Sequence, residues 1–125
     1  MANPNLLGIS TVTGSSTAVS LATTGYYTVL SNAASSGRAY KVISLMASHA
    51  SSDTANVSVN VRLNAAAAGA GSSTVIIKDV TVSSGAAQVI IDKNNPLYIV
   101  ENKSLVASAS SLNAVDVTVT YEELY

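Results

Sequence analysis

The sequence predicts an all-β fold: a single-domain antiparallel β-sandwich, of jelly-roll or Ig-like type, carrying an extended N-terminal arm. Three observations predict it. Apolar and polar residues alternate over long stretches, the period-2 signature of strands with one face buried. Those stretches are dense in β-branched residues, which suit a pleated surface and resist helix. Turn residues recur between them at the spacing of a sandwich or barrel.

The chain has 125 residues, the size of one domain, and can bury roughly two-thirds of the surface its unfolded form exposes. We divide it into an arm, residues 1–8, and a sandwich, residues 9–125. The arm precedes the first alternation, and Leu6, Leu7 and the following Ile9 make it apolar. An apolar segment outside the sheets is expected to lie on its own body or on a neighbour. Strands are expected at 9–12, 17–22 and 26–31, the first two separated by a turn at Thr13-Gly14-Ser15-Ser16. Residues 40–48 read as a strand whose mixed pattern predicts burial on both faces.

Residues 55–63 alternate over nine positions and point Val57, Val59, Val61 and Leu63 inward. Ala65-Ala66-Ala67-Ala68 is the one helix-favouring stretch. It is too short, and too close to Gly69 and Gly71, to hold a helix alone, so it reads as a loop tip or single turn. Val75-Ile76-Ile77 leading into Asp79-Val80-Thr81-Val82 reads as one kinked strand. Shorter strands follow at 87–92, 97–100 and 104–108. Pro96 stands before a strand, where a missing N–H costs little. Residues 114–121 repeat the clean alternation, with Val115, Val117, Val119 and Tyr121 on one face. Loops are expected at Ser35-Ser36-Gly37, Ser51-Ser52-Asp53, residues 69–73, Ser83-Ser84-Gly85 and Asn94-Asn95-Pro96.

Charged residues make up only 10% of the chain, against about 25% in an average globular protein. The cores of interfaces are depleted in charge, so this composition fits a surface largely covered by neighbouring subunits. Net charge is −1, and Arg38, Lys41, Arg62, Lys78, Lys93 and Lys103 are scattered singly. A nucleic-acid partner would need a basic patch or stripe, and none is expected. Without cysteine there are no disulfides and no thiolate metal sites. No apolar run approaches the roughly 20 residues of a membrane helix, so no membrane partner is expected. Met1-Ala2-Asn3-Pro4-Asn5 lacks the basic and apolar regions of a signal peptide. Release within a particle is expected instead of secretion.

Residues that could carry chemistry are few. His49 is the only histidine and reads as a surface or edge residue. A zinc site would need Asp and Glu to complete it. A Ser-His-Asp arrangement with Asp53 lacks the Gly-x-Ser-x-Gly elbow. Glu122 and Glu123, adjacent on a strand, point to opposite faces and cannot converge as glycosidase carboxylates do. No phosphate loop, dinucleotide fingerprint or calcium loop is present. No enzyme activity, cofactor or metal is therefore expected. Tyrosines are the only aromatic residues. Alternation puts Tyr40, Tyr98 and Tyr121 in or beside the core, each hydroxyl reaching a partner. Tyr26 and Tyr27 are the candidates for a sugar-binding platform, and Tyr125 for contact with a neighbouring chain.

Three segments carry a family resemblance. The first is Ala2-Asn3-Pro4-Asn5-Leu6-Leu7 followed by Thr11-Val12-Thr13-Gly14. The second is Ser31-Asn32-Ala33-Ala34-Ser35-Ser36-Gly37-Arg38-Ala39-Tyr40-Lys41-Val42. The third runs from Leu97-Tyr98-Ile99-Val100-Glu101-Asn102-Lys103-Ser104-Leu105 through Ala107-Ser108-Ala109 to Val117-Thr118-Val119-Thr120-Tyr121-Glu122-Glu123-Leu124. Together they resemble small virion structural proteins of tailed bacteriophages, of the cyanophage type. The family's Leu-Glu-Glu-Gly-Asp turn stands here as Ile99-Val100-Glu101-Asn102-Lys103, without the glycine.

The resemblance implies a non-enzymatic virion component. Its leading form is a capsid decoration (cement) protein on the capsid surface, binding the major capsid protein as a homotrimer or other homo-oligomer. The expected contact residues are Asn3, Pro4, Asn5, Leu6, Leu7 and Ile9 of the arm, with Tyr121, Glu122, Leu124 and Tyr125 at the other end of the chain. Two other readings stand beside it: a neck, tail or fibre-attachment virion protein, and a carbohydrate-binding adhesion module.

Overall fold

Strands with one apolar face need a second layer to cover it, and two sheets provide that cover. The computed structural model describes residues 6–51 and 55–125. Its strands are β1 (Val12–Ser20), β2 (Tyr27–Asn32), β3 (Ala39–His49), β4 (Val57–Asn64), β5 (Ser73–Val82), β6 (Ala87–Ile91), β7 (Leu97–Ile99), β8 (Lys103–Ala109) and β9 (Val115–Leu124). One sheet has the order β1-β9-β3-β6, with β7 also paired to β3, and the other has the order β2-β8-β4-β5. Every pairing is antiparallel.

The pairs are nested. β1 lies beside β9, β2 beside β8, β3 beside β6 and β7, and β4 beside β5. With β6 and β7 taken as halves of one broken strand, this is the eight-stranded jelly roll. The structure thus decides between the two sandwich types that the sequence leaves open. Between the sheets lie Val42, Leu45 and Ala47 of β3, Val57, Val59 and Val61 of β4, Leu105 and Ala107 of β8, and Val115, Val117 and Val119 of β9. The inward residues expected for the β4 and β9 segments are therefore the core, with Leu63 and Tyr121 packed at its margin.

Several strands differ from the sequence reading. Thr13-Gly14-Ser15-Ser16 is not a turn. It lies inside β1, whose register with β9 runs unbroken from Val12 opposite Leu124 to Ser20 opposite Asp116. A ten-residue partner strand supplies a continuous hydrogen-bond ladder, and that pairing overrides the local turn preference. The mixed pattern of residues 40–48 has a simpler cause than burial on both faces. Ile43 is an extra residue in β3, since Val42 faces Tyr121 and Ser44 faces Thr120. Such a bulge switches the parity of the strand. Val42 and then Leu45, Ala47 and His49 consequently share the buried face. β5 is the single kinked strand expected, with its kink at Asp79, where φ is 53°.

The alanine stretch forms a 3-10 turn, Ala67–Gly69, folded back over β2 and β8. Gly69 N–H donates to Ser104 Oγ at 2.9 Å, and Ser104 Oγ donates to the Ala66 carbonyl at 2.7 Å. Ser104 and Val106 are consequently buried although they alternate with the core residues of β8. Gly69 has φ +75°, and a Cβ there would meet Thr28 Oγ1 at 2.7 Å. Gly69→Ala is expected to destabilise the fold by about 1–3 kcal/mol, combining left-handed strain with overpacking. Urea denaturation measures it. In the Glu101-Asn102 turn, Asn102 takes φ 56°, a left-handed conformation that asparagine tolerates.

Candidate functional site

The register of β1 with β9 fixes where the arm leaves the body. Beyond the strand ends the ladder continues. Ser10 and Thr11 N–H donate to the Tyr125 carbonyl at 3.1 and 2.8 Å, and Tyr125 N–H donates to the Thr11 carbonyl at 3.1 Å. A 3-10 turn, Leu6–Gly8, precedes this point. The arm and the Tyr121 to Tyr125 segment, at opposite ends of the sequence, thus meet at one end of the sandwich. Leu7 there is 97% exposed, Val12 57% and Tyr125 40%, while Ile9 is half-buried. Leu124 is buried, and Tyr121 and Glu122 are half-buried. Asn3, Pro4 and Asn5 lie outside the described residues, as does the side chain of Leu6.

Tyr125 is held by charge as well as by backbone. Arg38 Nη1 lies 2.6 Å from Glu123 Oε2, and the guanidinium carbon of Arg38 sits 4.4 Å from the centre of the Tyr125 ring. One residue thereby joins an ion pair to a cation–π contact. Alongside, Tyr40 and Tyr121 pack their rings 5.3 Å apart. Burial, and then the Glu123 carboxylate and the Tyr121 hydroxyl, push the Tyr40 hydroxyl above its ordinary value of 10.0, with Arg38 acting in the opposite sense. Near and above that pH the native state keeps a proton that the unfolded chain has lost. This contribution to stability is full below pH 10 and is lost as pH rises through the higher native value. A thermal-melt series in the alkaline range is expected to fall more steeply for the wild type than for Y40F.

Arg38 is presented by a residue that no sequence motif marks. Asn32 is fully buried. Its Nδ2 donates to the Arg38 carbonyl at 2.8 Å and to the Ile99 carbonyl at 2.9 Å, and its Oδ1 accepts from Ser36 Oγ at 2.6 Å. Ser36 Oγ in turn accepts from Arg38 N–H at 3.1 Å. The amide fastens the turn between β2 and β3 to the end of β7. Its position before Ser35-Ser36-Gly37 is the only sequence signal for it.

Other sequence-based expectations change. His49 is not a surface residue. It ends β3 on the buried face, 6% exposed, and its Nε2 lies 2.9 Å from the Ala55 carbonyl. That contact ties β3 to the start of β4, a structural use of the ring, and Asp53 lies outside the described residues. Tyr98 is on the surface, 39% exposed, and not beside the core, because β7 turns it to the outer side. Tyr26 and Tyr27 are both exposed at the start of β2. Among the described residues no three His, Asp or Glu side chains gather as a metal site would require.

The outward face of β1, β9 and β3 is small and hydroxyl-rich. Ser16 Oγ bonds Thr120 Oγ1 at 3.1 Å, and Ser20 Oγ donates to Asp116 at 2.7 Å. At the opposite edge of the sandwich, β5 exposes Val75 and Ile76 and β6 exposes Val89. The body therefore exposes Val75, Ile76 and Val89 along the β5–β6 edge, beside the exposed Lys78 and Asp79 of β5, and Val12 at the start of β1.

No protein-family model matches the chain, and no curated protein matches it. Among solved structures it resembles a chain of the acidic stable capsid structure of Helicobacter pylori bacteriophage KHP30. The TM-score is 0.55 at 12% sequence identity, over 94% of this chain and 90% of that one. The two share a fold across nearly their whole lengths.

Proposed function

We propose that the chain is a non-enzymatic structural component of a phage virion, and specifically a capsid decoration protein. It binds the major capsid protein from outside the shell and stabilises the assembled lattice. The observation that carries this reading is the end-to-end fold match with a chain of a phage capsid structure, in agreement with the resemblance in the sequence. A jelly roll by itself is compatible with capsid and lectin functions alike. The sparse charge and the apolar edges favour a protein used as a building part.

In this reading, Leu7 and Ile9 of the arm and the neighbouring Tyr125 contact the shell, together with residues 3–6. The apolar edge of β5 and β6 meets the β1 edge of a second copy. Two different patches used head to tail close into a ring when the rotation between copies divides a full turn, and a homotrimer is the ring we favour. Each subunit then binds modestly, and the oligomer gains effective concentration by engaging several capsomers at once. Binding only the assembled shell stabilises it by mass action. Immunogold electron microscopy of the virion tests the placement. Label over the whole capsid is expected. Label confined to the neck, tail or fibres would make the protein an attachment component, and unlabelled particles would overturn the virion reading.

A further inference from the structure

The outward side of the β2-β8-β4 sheet holds a cleft of about 300 Å³, lined by Tyr26, Thr28, Arg62, Asn64, Ser73 and Val106 together with the 3-10 turn. β4 alternates, so Arg62 and Asn64 emerge on the side away from the core. The turn folded over β8 then walls them in. Asn64 is 6% exposed. Its Nδ2 donates to the Gly69 carbonyl at 2.7 Å, which fixes the amide, and its Oδ1 is buried without a partner. Arg62 lies with its guanidinium carbon 4.5 Å from the centre of the Tyr26 ring. Its Nη1 reaches Ser73 Oγ only at 3.4 Å, and its Nε is buried without a partner. Unlike Arg38, Arg62 has no carboxylate partner among the described residues, and no acid lines the cleft.

A buried acceptor and a buried cationic donor left unmatched are unfavourable by themselves. Together they specify a ligand. Asn64 Oδ1 requires a donor, which an oxyanion without a proton, such as sulfate, lacks. The uncompensated guanidinium of Arg62 requires an anion and prefers a planar carboxylate that can accept two hydrogen bonds. The volume is at the lower end of ligand pockets and suits one ring, not a peptide. Tyr26 and Val106 offer apolar surface for the C–H face of such a ring.

We propose that this cleft binds an acidic saccharide unit. Its carboxylate pairs with Arg62, and one of its hydroxyls donates to Asn64 Oδ1. The weak Ser73 contact lets the guanidinium turn toward the ligand. The cleft lies apart from the arm and borders the start of β5 through Ser73; its ligand contacts are those of the single chain, so they are tested without the capsid assignment.

The test is NMR titration of the full ¹⁵N-labelled chain, following the Arg62 Nε–H and Asn64 side-chain amide signals. The probes are glucuronate, N-acetylneuraminate, glucose and acetate. One or both of the acidic sugars are expected to shift both signals with a Kd in the region of 1 mM. Glucose and acetate are expected to bind at least about tenfold more weakly, the loss of one hydrogen-bonded or charged contact. R62Q should lose the acidic sugar by more than about tenfold, while Y98F, outside the cleft, should retain it. If R62Q does not fold, the comparison of ligands on the wild type still decides. Absence of shifts with both acidic sugars overturns the proposal. Acetate binding as well as the acidic sugars overturns the saccharide, and glucose binding as well overturns the role of the charge.

Discussion

Deleting residues 2–8 is expected to abolish binding to capsid shells while leaving the sandwich folded. The described part of that segment is a 3-10 turn with Leu7 almost wholly exposed. The backbone hydrogen bonds of Ser10 and Thr11 to Tyr125, outside the deleted segment, hold the following chain to the body. Truncation therefore removes little from the core, and the melting temperature should shift by no more than a few degrees. Binding is another matter. If each arm contributes as little as about 1.4 kcal/mol, a factor of ten, a trimer losing three arms loses roughly a thousandfold. Cosedimentation with purified shells measures it. Truncated protein that sediments like the wild type would remove the arm from the contact surface.

Asn32→Ala is expected to cost about 2–4 kcal/mol of stability. The substitution strips partners from the Arg38 and Ile99 carbonyls and from Ser36 Oγ. Each buried polar group left unsatisfied costs about 1–3 kcal/mol, and water entering the space recovers part of it. Against a typical total of about 5–15 kcal/mol, that is a large fraction, corresponding to a fall of roughly 10 °C in Tm. Asn32→Asp should fare no better, because it loses the two donated hydrogen bonds and buries a charge. Chemical denaturation of the three proteins checks the values. A loss below about 0.5 kcal/mol, the level of an ordinary surface change, would show that the amide is not the fastening it resembles.

Much of the fold is legible because β4 and β9 alternate cleanly, and their valines can face only one way. The same rule fails wherever a bulge inserts a residue. Ile43 in β3 and the Asp79 region of β5 each reset the parity, and nothing local in the sequence marks where. Gly14 among serines reads as a turn, yet β9 pairs straight through it. The nested pairing of the jelly roll joins segments far apart in sequence, so alternation alone leaves the topology open.

The candidate sites are legible to different degrees. The arm stands out by its apolar residues, but only the register of β1 with β9 brings it to Tyr125. Asn32 is hidden because the Ile99 carbonyl it holds lies 67 residues away. Arg62 and Asn64 look like the ordinary wet face of β4 until the turn at Gly69 folds over them. Tyr26 is visible as a candidate for sugar contact, while Tyr27 beside it does not line the cleft.

The central claim is that this chain coats a phage capsid, and its copy number per purified virion tests that most directly. Quantitative mass spectrometry against the major capsid protein supplies the ratio. The account predicts a ratio near one, or a simple fraction no smaller than about one-third, as a lattice-bound oligomer requires. A ratio of a few per cent or less would contradict it and assign the protein to the neck, tail or fibres.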